Sequence, residues 1–351
     1  VVGALFVIGL LATGFIFTRT PTAFIPNEDV GYFITQLQAP DGTSLPRTSE
    51  IALKAENVIR SQPEVVDCFS IQGFSFVGQG PNFGLIFAHL KPWNERGGAD
   101  HTLAAVLRRV NAQLSRIPEA SIIAFNPPAI SGVGNVGGFQ FELEDTGNIG
   151  LAAVSAAAKQ FTRRANEDPD LQLVYTTFHA NAPQLVVDVD RDKAQQIGVS
   201  IANIFSTLSV YLGSDYINDF TYLNRSFRVY AQADTPFRLS QSDFQKIFVR
   251  SAAGGAVPLS DLVRVHMGQA APVITHYNLF RNIEVLGQAA PGHGSGDAIA
   301  AMERLAKSLP SGIQYEWTGI ALEETTAGGQ SMLIFLLGII FTFLVLSAKY
   351  E

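Results

Sequence analysis

"CFSIQGFSFVGQGPNFGLIF", residues 68–87, runs between two stretches that read as strands, "VVDCFSI" at 65–71 and "GLIFAHL" at 84–90. It strings Phe69, Phe74, Phe76, Phe83 and Phe87 past Gly73, Gly78, Gly80 and Gly84. Phenylalanine favours a rigid apolar setting, whereas glycine loosens the backbone. The mixture reads as an aromatic–glycine loop. Its rings either fold back into the core, as at an ordinary hairpin tip, or form a movable wall of aromatic faces for apolar or cationic molecules.

Two strands joined directly, with a helix on either side, decide the fold. Upstream, "YFITQLQ" at 32–38 reads as a strand and "SLPRTSEIALKAENVIRSQPE" at 44–64 as a helix. Ile51, Ala55, Val58 and Ile59 recur at helical spacing, and Pro63 ends the run. Downstream come a helix, "HTLAAVLRRVNAQLSRI" at 101–117, and a strand, "SIIAFNP" at 121–127. The order β-α-β-β-α-β is the split βαβ unit. It recurs from strand "FQFELED" at 139–145 through helix 151–168, a hairpin of "LQLVYTT" and "PQLVVDVD", and helix "SIANIFSTLSVYLG" at 200–213. After a β-rich interruption at about 214–270 follow strand "NIEVLGQA", helix "GDAIAAMERLAKSL" and strand "IQYEWTG". The expected fold is α+β, two split βαβ units carrying a β-rich insertion.

The 351 residues and net charge of -7, with Lys and Arg scattered, fit several domains and no nucleic-acid groove. The single cysteine, Cys68, allows no intrachain disulfide and no cysteine-based zinc site. Residues 1–17 and 332–348 are uncharged apolar runs near the lower length limit of a membrane helix. Chemistry is hard to find. "GVGNVGG" at 132–138 spaces Gly132, Gly134 and Gly137 like a nucleotide fingerprint but leads into a strand instead of a helix. Asp297 in "PGHGSGDAIA" reads as a helix cap or first-turn acid, and no phosphate-loop lysine accompanies it. The six histidines show no ligand spacing, Asp188, Asp190 and Asp192 read as solvated carboxylates, and no nucleophile elbow is present. Neither an enzyme, a metal site nor a cofactor is expected.

"TPTAFIPNEDVGYFITQLQAPDG", "GFSFVGQGPN", "LKPW", "FNPPAI", "GFQFELED", "DRDKAQQIGVS", "YINDF", "LGQAAPG" and "YEWTG", in this order, resemble the resistance–nodulation–division efflux transporters, drug-exporting hydrophobe/amphiphile branch. The likeness covers essentially the whole chain and places it at the second large periplasmic loop with its flanking membrane helices. It implies a transmembrane helix at 1–19, a first porter subdomain at 27–130, and a second at 131–180 with 271–330. A docking or funnel subdomain at 181–270 and the next membrane helix at 331–351 complete the expected layout. It further implies a proton-driven homotrimer in the bacterial inner membrane, its body in the periplasm. Such a pump passes apolar or amphiphilic drugs from periplasm and membrane lipid to an outer-membrane channel, helped by a periplasmic adaptor.

Residue by residue, the resemblance implies a deep pocket of Phe69, Phe74, Phe76 and Phe87 with Ile71, plus Ile34 and Gln36 on the first strand. It implies an access pocket of Ile123, Phe125, Pro127, Thr176 and Phe178. A switch loop at 73–82, with Gly73, Gly78, Gln79 and Gly80, would separate the two. Relatives often carry an apolar residue where Gln36 stands, so the resemblance implies a more polar deep pocket here. They often carry a basic one where Gln79 or Thr176 stands, so it implies weaker affinity for anionic or strongly polar drugs. The heavy-metal branch would need Met or Cys in the cleft, and Met267, Met302, Met332 and Cys68 fall elsewhere. A membrane-anchored lipid-handling or scaffold module is the alternative from another class.

Overall fold

The computed structural model describes residues 28–76, 78–128, 130, 134 and 136–350, with positions 8, 9, 12, 13, 15 and 25 before them. The expected membrane segment at 1–19 lies otherwise outside the described residues, as does Gly132 of the glycine motif.

Along the chain, β1 (Tyr32–Gln38), α1 (Leu45–Arg60), β2 (Val65–Ser75), β3 (Gly78–Leu90), α2 (Leu103–Leu114) and β4 (Ser121–Phe125) form a first sheet with two helices. The antiparallel strand order is β2-β3-β1-β4. Alternation along β1 sends Phe33 and Leu37 to the helix side, where they are buried with Ile51, Ala55 and Ile59 of α1 and Val106, Val110 and Leu114 of α2. Thr102 caps α2 by accepting from the Ala105 N–H at 3.3 Å.

The expected loop at 73–82 is largely a paired ribbon. Phe74 lies opposite Gln79 and Ser75 opposite Gly78, so the strands continue almost to the tip. The register shifts between Gln72 and Phe74, and Gly73, at φ +87°, absorbs the extra residue as glycine does in a β-bulge. Phe69, Phe74, Phe83 and Phe87 therefore sit at defined strand positions, and Phe76 lies in the turn just past β2.

Next come β5 (Phe139–Asp145), α3 (Leu151–Asn166) and β6 (Leu171–Tyr175), and then a compact unit of its own, Pro183–Ala270. This unit contains most of β7 (Ala182–Val189), then α4 (Arg191–Ile197), α5 (Ile201–Leu208), β8 (Asp215–Tyr222), β9 (Arg225–Ala231), β10 (Phe248–Arg250), β11 (Ala256–Pro258) and β12 (Val263–Ala270). Its core gathers Ala194, Ile204, Phe244, Ile247, Leu259 and Leu262. Asp190 caps α4, accepting from the Lys193 N–H at 3.0 Å, and Gly198 ends it at φ +76°.

The larger unit resumes with β13 (Thr275–Tyr277), β14 (Phe280–Ala289), α6 (Ser295–Ala306), β15 (Ile313–Thr318) and α7 (Gly319–Tyr350). Asp297 accepts from the Gly294 N–H at 2.9 Å, reaching back to the start of α6 as a first-turn acid does. The second sheet has the path β13-β14-β5-β15, with β6 also on β14. Counting β5, β6, β14 and β15 as first to fourth, the order is fourth-first-third-second, as it is for β1 to β4.

Two sequence expectations are corrected. The segments "LQLVYTT" and "PQLVVDVD" form no hairpin: β6 pairs with β14, and β7 pairs with β12. The helix at 200–213 belongs to the inserted unit, which begins near 183 and not near 214. A hairpin needs its two strands to share one sheet, but β7 has four consecutive exposed positions and a neighbour in the insertion.

Helix α7 runs for 32 residues, and its side chains from Leu336 to Leu346 are largely apolar and exposed. Among the described residues no single helix is long and apolar enough to cross a membrane.

Candidate substrate-binding face

The face of the first sheet turned away from its helices carries seven of the expected pocket residues, joined by Leu85, in two cross-strand rows. Phe69, Phe87, Ile34 and Phe125 lie opposite one another across β2, β3, β1 and β4. Ile71, Leu85, Gln36 and Ile123 form the neighbouring row. Strand alternation places both rows on one face, although their members span more than fifty residues of sequence. Phe69 stacks on Phe87 at 5.0 Å between ring centroids, with the planes 11° apart.

Burial grades across this face. Phe125 is 1% exposed and Phe69 is 59% exposed. Ile34, Leu85 and Phe125 pack with Val136 and with Leu286 of β14, and Phe76, Phe87 and Tyr175 lean on that cluster. Gln36 is buried among them, its Nε2 without a hydrogen-bond partner among the described residues. Phe69, Ile71 and Phe74 stand at the exposed edge strand. Pro127 is buried, and Thr176 is half-buried just beyond β6. Gly78, Gln79 and Gly80 begin β3, opposite the end of β2.

A cavity of about 250 Å³ opens between this face and the second sheet. Among its walls are Phe76, Phe83, Phe178, Gln38 and His179, and two carboxylates, Glu142 and Glu284. Phe76 meets Phe125 at 6.3 Å, which connects the cavity wall to the buried end of the first row. Ile123 and Phe125 border a much smaller space of about 10 Å³ beside Tyr175. At the rim, His179 Nε2 lies 2.5 Å from Asp41 Oδ2, and Gln38 Nε2 donates to the Thr177 carbonyl at 3.3 Å.

The second sheet presents a different surface to this cavity. Along β5, Phe139, Phe141 and Leu143 face the helices, so Gln140, Glu142 and Glu144 face the other way, and all seven strand residues are buried. Glu142 lies directly opposite Glu284 of β14 and opposite Glu316 of β15. Burial, reinforced by the Glu284 charge and opposed by the hydrogen bond from Asn282, pushes the Glu142 carboxyl up to about 7. Burial also raises Glu284, against the hydrogen bond from Gln140, and raises the Tyr175 hydroxyl, to which Glu284 adds. The site thus joins aromatic walls to an acid floor that retains a proton near neutrality.

A separate cavity of about 400 Å³ lies near Asp29, Arg108 and His293. There burial alone would raise Asp29, but the Arg96 guanidinium, 2.6 Å from both carboxylate oxygens, holds it below its ordinary value.

The whole chain, residues 1–351, matches the model of the AcrB/AcrD/AcrF family. The chain belongs to that family. Among its relatives are the multidrug export protein AcrF of Escherichia coli K12, 38% identical over 99% of this chain and 34% of its own length. The toluene efflux pump membrane transporter TtgB of Pseudomonas putida is 37% identical over 99% of this chain and 33% of its own. The multidrug resistance protein MdtF of E. coli K12 is 35% identical over 96% and 33%. The chain therefore spans about a third of the length of these curated relatives.

Of the expected residues, Phe76 and Phe178 line the larger cavity, while Ile123 and Phe125 border the small one. Family resemblance did not point to Glu142, Glu284, Phe83 or the Asp41–His179 pair. The alternation in "FQFELED" already separates Gln140, Glu142 and Glu144 from the apolar face. Nothing in those letters says that the acid face is also covered.

Proposed function

We propose that this chain is the periplasmic drug-binding portion of a proton-driven multidrug efflux pump of the Gram-negative inner membrane. In this reading 27–130 and 131–180 with 271–330 are two split βαβ porter subdomains, and 181–270 is the docking subdomain. Residues 1–19 and 331–351 enter the membrane. The working assembly is a homotrimer joined to an adaptor and an outer-membrane channel. Family membership and the names of the relatives support this reading. The observation that carries it is the pair of cross-strand rows leading from the exposed Phe69 to the cavity at Phe76 and Phe178. A graded apolar face of this kind takes many amphiphiles, because area and stacking require no fixed pattern of hydrogen bonds.

The test uses Gram-negative cells stripped of their own pumps and expressing the complete protein that carries this chain, with membrane levels matched. Accumulation of an apolar cationic dye should fall below the empty-vector level. The Phe76→Ala/Phe178→Ala variant should restore it. Equal accumulation in cells with the intact protein and with vector, the partners being present, would reject drug efflux for such dyes and favour the lipid-handling or scaffold role.

A further inference from the structure

The acid floor of the larger cavity has more acceptors than its own donors use. Glu142 and Glu284 face each other across β5 and β14, and both border the cavity. Asn282 borders it too and is 6% exposed. Its Nδ2 donates to Glu142 Oε2, which leaves Oδ1 buried without a hydrogen-bond partner among the described residues. Gln140 Nε2 donates to Glu284 Oε1 at 3.1 Å. Burying an acceptor unpaired costs about 1–3 kcal/mol, so a site that keeps one asks for a donor from outside.

The charges around the pair make that donor a cation. Glu144 lies on the same strand, and Glu316 lies opposite Glu142 on β15, both acidic. Tyr175 approaches from β6. At the rim His179 is already engaged by Asp41. Glu323 and Glu324 begin α7, which also packs on β5, and Ser295 donates to Glu324 at 2.8 Å. Arg281 is paired with Asp145, whose side chain follows the helix-side alternation of β5. Helices α3 and α6 cover that opposite side. Among the described residues no group of three or more His, Cys, Asp or Glu is placed to hold a metal ion.

We propose that Glu142, Glu284 and Asn282 Oδ1 form a subsite for the amidinium or ammonium head of a cationic amphiphile. The head enters as the proton held on the Glu142 carboxyl leaves to solvent. This rests on the reading of the cavity as a substrate site. A planar amidinium or an ammonium presents only donors, and the ionised Glu142 and Glu284 carboxylates with Asn282 Oδ1 offer only acceptors. Phe76, Phe83 and Phe178 supply apolar and π faces for the ring that carries the cation. The volume of about 250 Å³ suits one charged ring system and leaves the rest of a larger molecule on the graded face. Cation entry and proton release are therefore coupled at this point of the fold.

The test is equilibrium binding to the full chain in detergent micelles at pH 6 and pH 8. The probes are the fluorescent diamidine DAPI, charged throughout, and neutral N-phenylnaphthylamine. DAPI should bind about tenfold more tightly at pH 8, the ratio of ionised Glu142 at the two values for a midpoint of about 7. Glu142→Gln and Glu284→Gln should each lower DAPI affinity at pH 8 and flatten its pH dependence. Glu144→Gln should keep the slope, and the neutral probe should bind alike in all variants and at both pH values. The neutral probe also shows that the substituted chains are folded. A flat DAPI profile in the unaltered chain, or a slope that survives Glu142→Gln, overturns the cation subsite while neutral binding persists. Loss of both probes from the unaltered chain overturns the substrate-site reading itself.

Discussion

The two sheets of the larger unit share a strand order and differ in what their free faces carry. On the helix side they are alike: Phe33, Leu37 and Ile86 in one, Phe141, Leu143 and Val285 in the other, all fully buried. On the free side the first sheet carries Phe69, Phe87, Ile34 and Phe125, whereas the second carries Gln140, Glu142, Glu144 and Glu284. A helix-covered face has one workable chemistry, because the helices bring apolar stripes that must be matched. A free face need only be tolerated by the fold, so it can take on a task. Burying carboxylates there costs stability, and the shifted acids record that cost.

The strongest way to break this contrast is to hollow the helix side. Phe141 stacks on Phe161 at 5.3 Å and on Tyr315 at 4.8 Å. Phe141→Ala should cost about 3–5 kcal/mol in urea-induced unfolding of the larger unit, followed by the fluorescence of Trp93 and Trp317. A cost near zero would mean that the helix side is not the structural half.

The acid floor should show itself next, as a pH dependence of stability. The folded Glu142 carboxyl is raised from its ordinary 4.5 to about 7 by burial and then by Glu284. Between those values the folded chain keeps a proton that the unfolded chain has lost. Stability is thus full below 4.5 and declines as pH rises through about 7. The loss should be about 3 kcal/mol at most. Glu142→Gln should remove that slope and leave the variant more stable than the unaltered chain at pH 8. Thermal unfolding across pH reads both, and a slope retained in the variant would assign it to other groups.

Backbone effects come third. Gly73→Ala places a side chain at φ +87° in the bulge of β2 and should cost about 1–2 kcal/mol, with faster amide exchange in the paired ribbon. The smallest effect belongs to the exposed end of the aromatic row. Phe69→Ala removes a stacked but largely solvent-facing ring and should cost about 1 kcal/mol or less. It should nevertheless weaken binding of the neutral probe, which separates the functional face from the structural one.

Much of this was legible in the letters, for stated physical reasons. Ile51, Ala55 and Ile59 repeat at the period of a helix, and they are buried on one side of α1. "FQFELED" alternates with the period of a strand, and β5 occupies those seven residues. Asp297 beside a glycine-rich run reads as a first-turn acid, and its carboxylate takes the Gly294 N–H. Other parts were hidden. The glycines at 73, 78 and 80 suggest a loop over 73–82, yet strand pairing continues through Phe74–Gln79 and Ser75–Gly78 and outweighs the glycine penalty there. "LQLVYTT" and "PQLVVDVD" look like partners because they are neighbours, but the strand complementary to β6 lies more than a hundred residues on, in β14.

Periodicity was enough to state the α+β class and the first β-α-β-β-α-β order, since these are written in local spacing along the chain, and the order of the quoted motifs carried the resemblance to the family. In the second unit, neighbouring letters paired β7 with the wrong strand and drew in a helix of the insertion. Which face each residue serves depended on pairing between distant strands. Register across β2, β3, β1 and β4 gathered Phe69, Phe87, Ile34 and Phe125 into a single row. The covering of the second sheet's free face turned Glu142 from a surface acid into a buried one that keeps its proton to about 7. A carboxylate's chemistry follows its solvent, and a strand's sequence carries no information about what will lie across from it until the sheets meet.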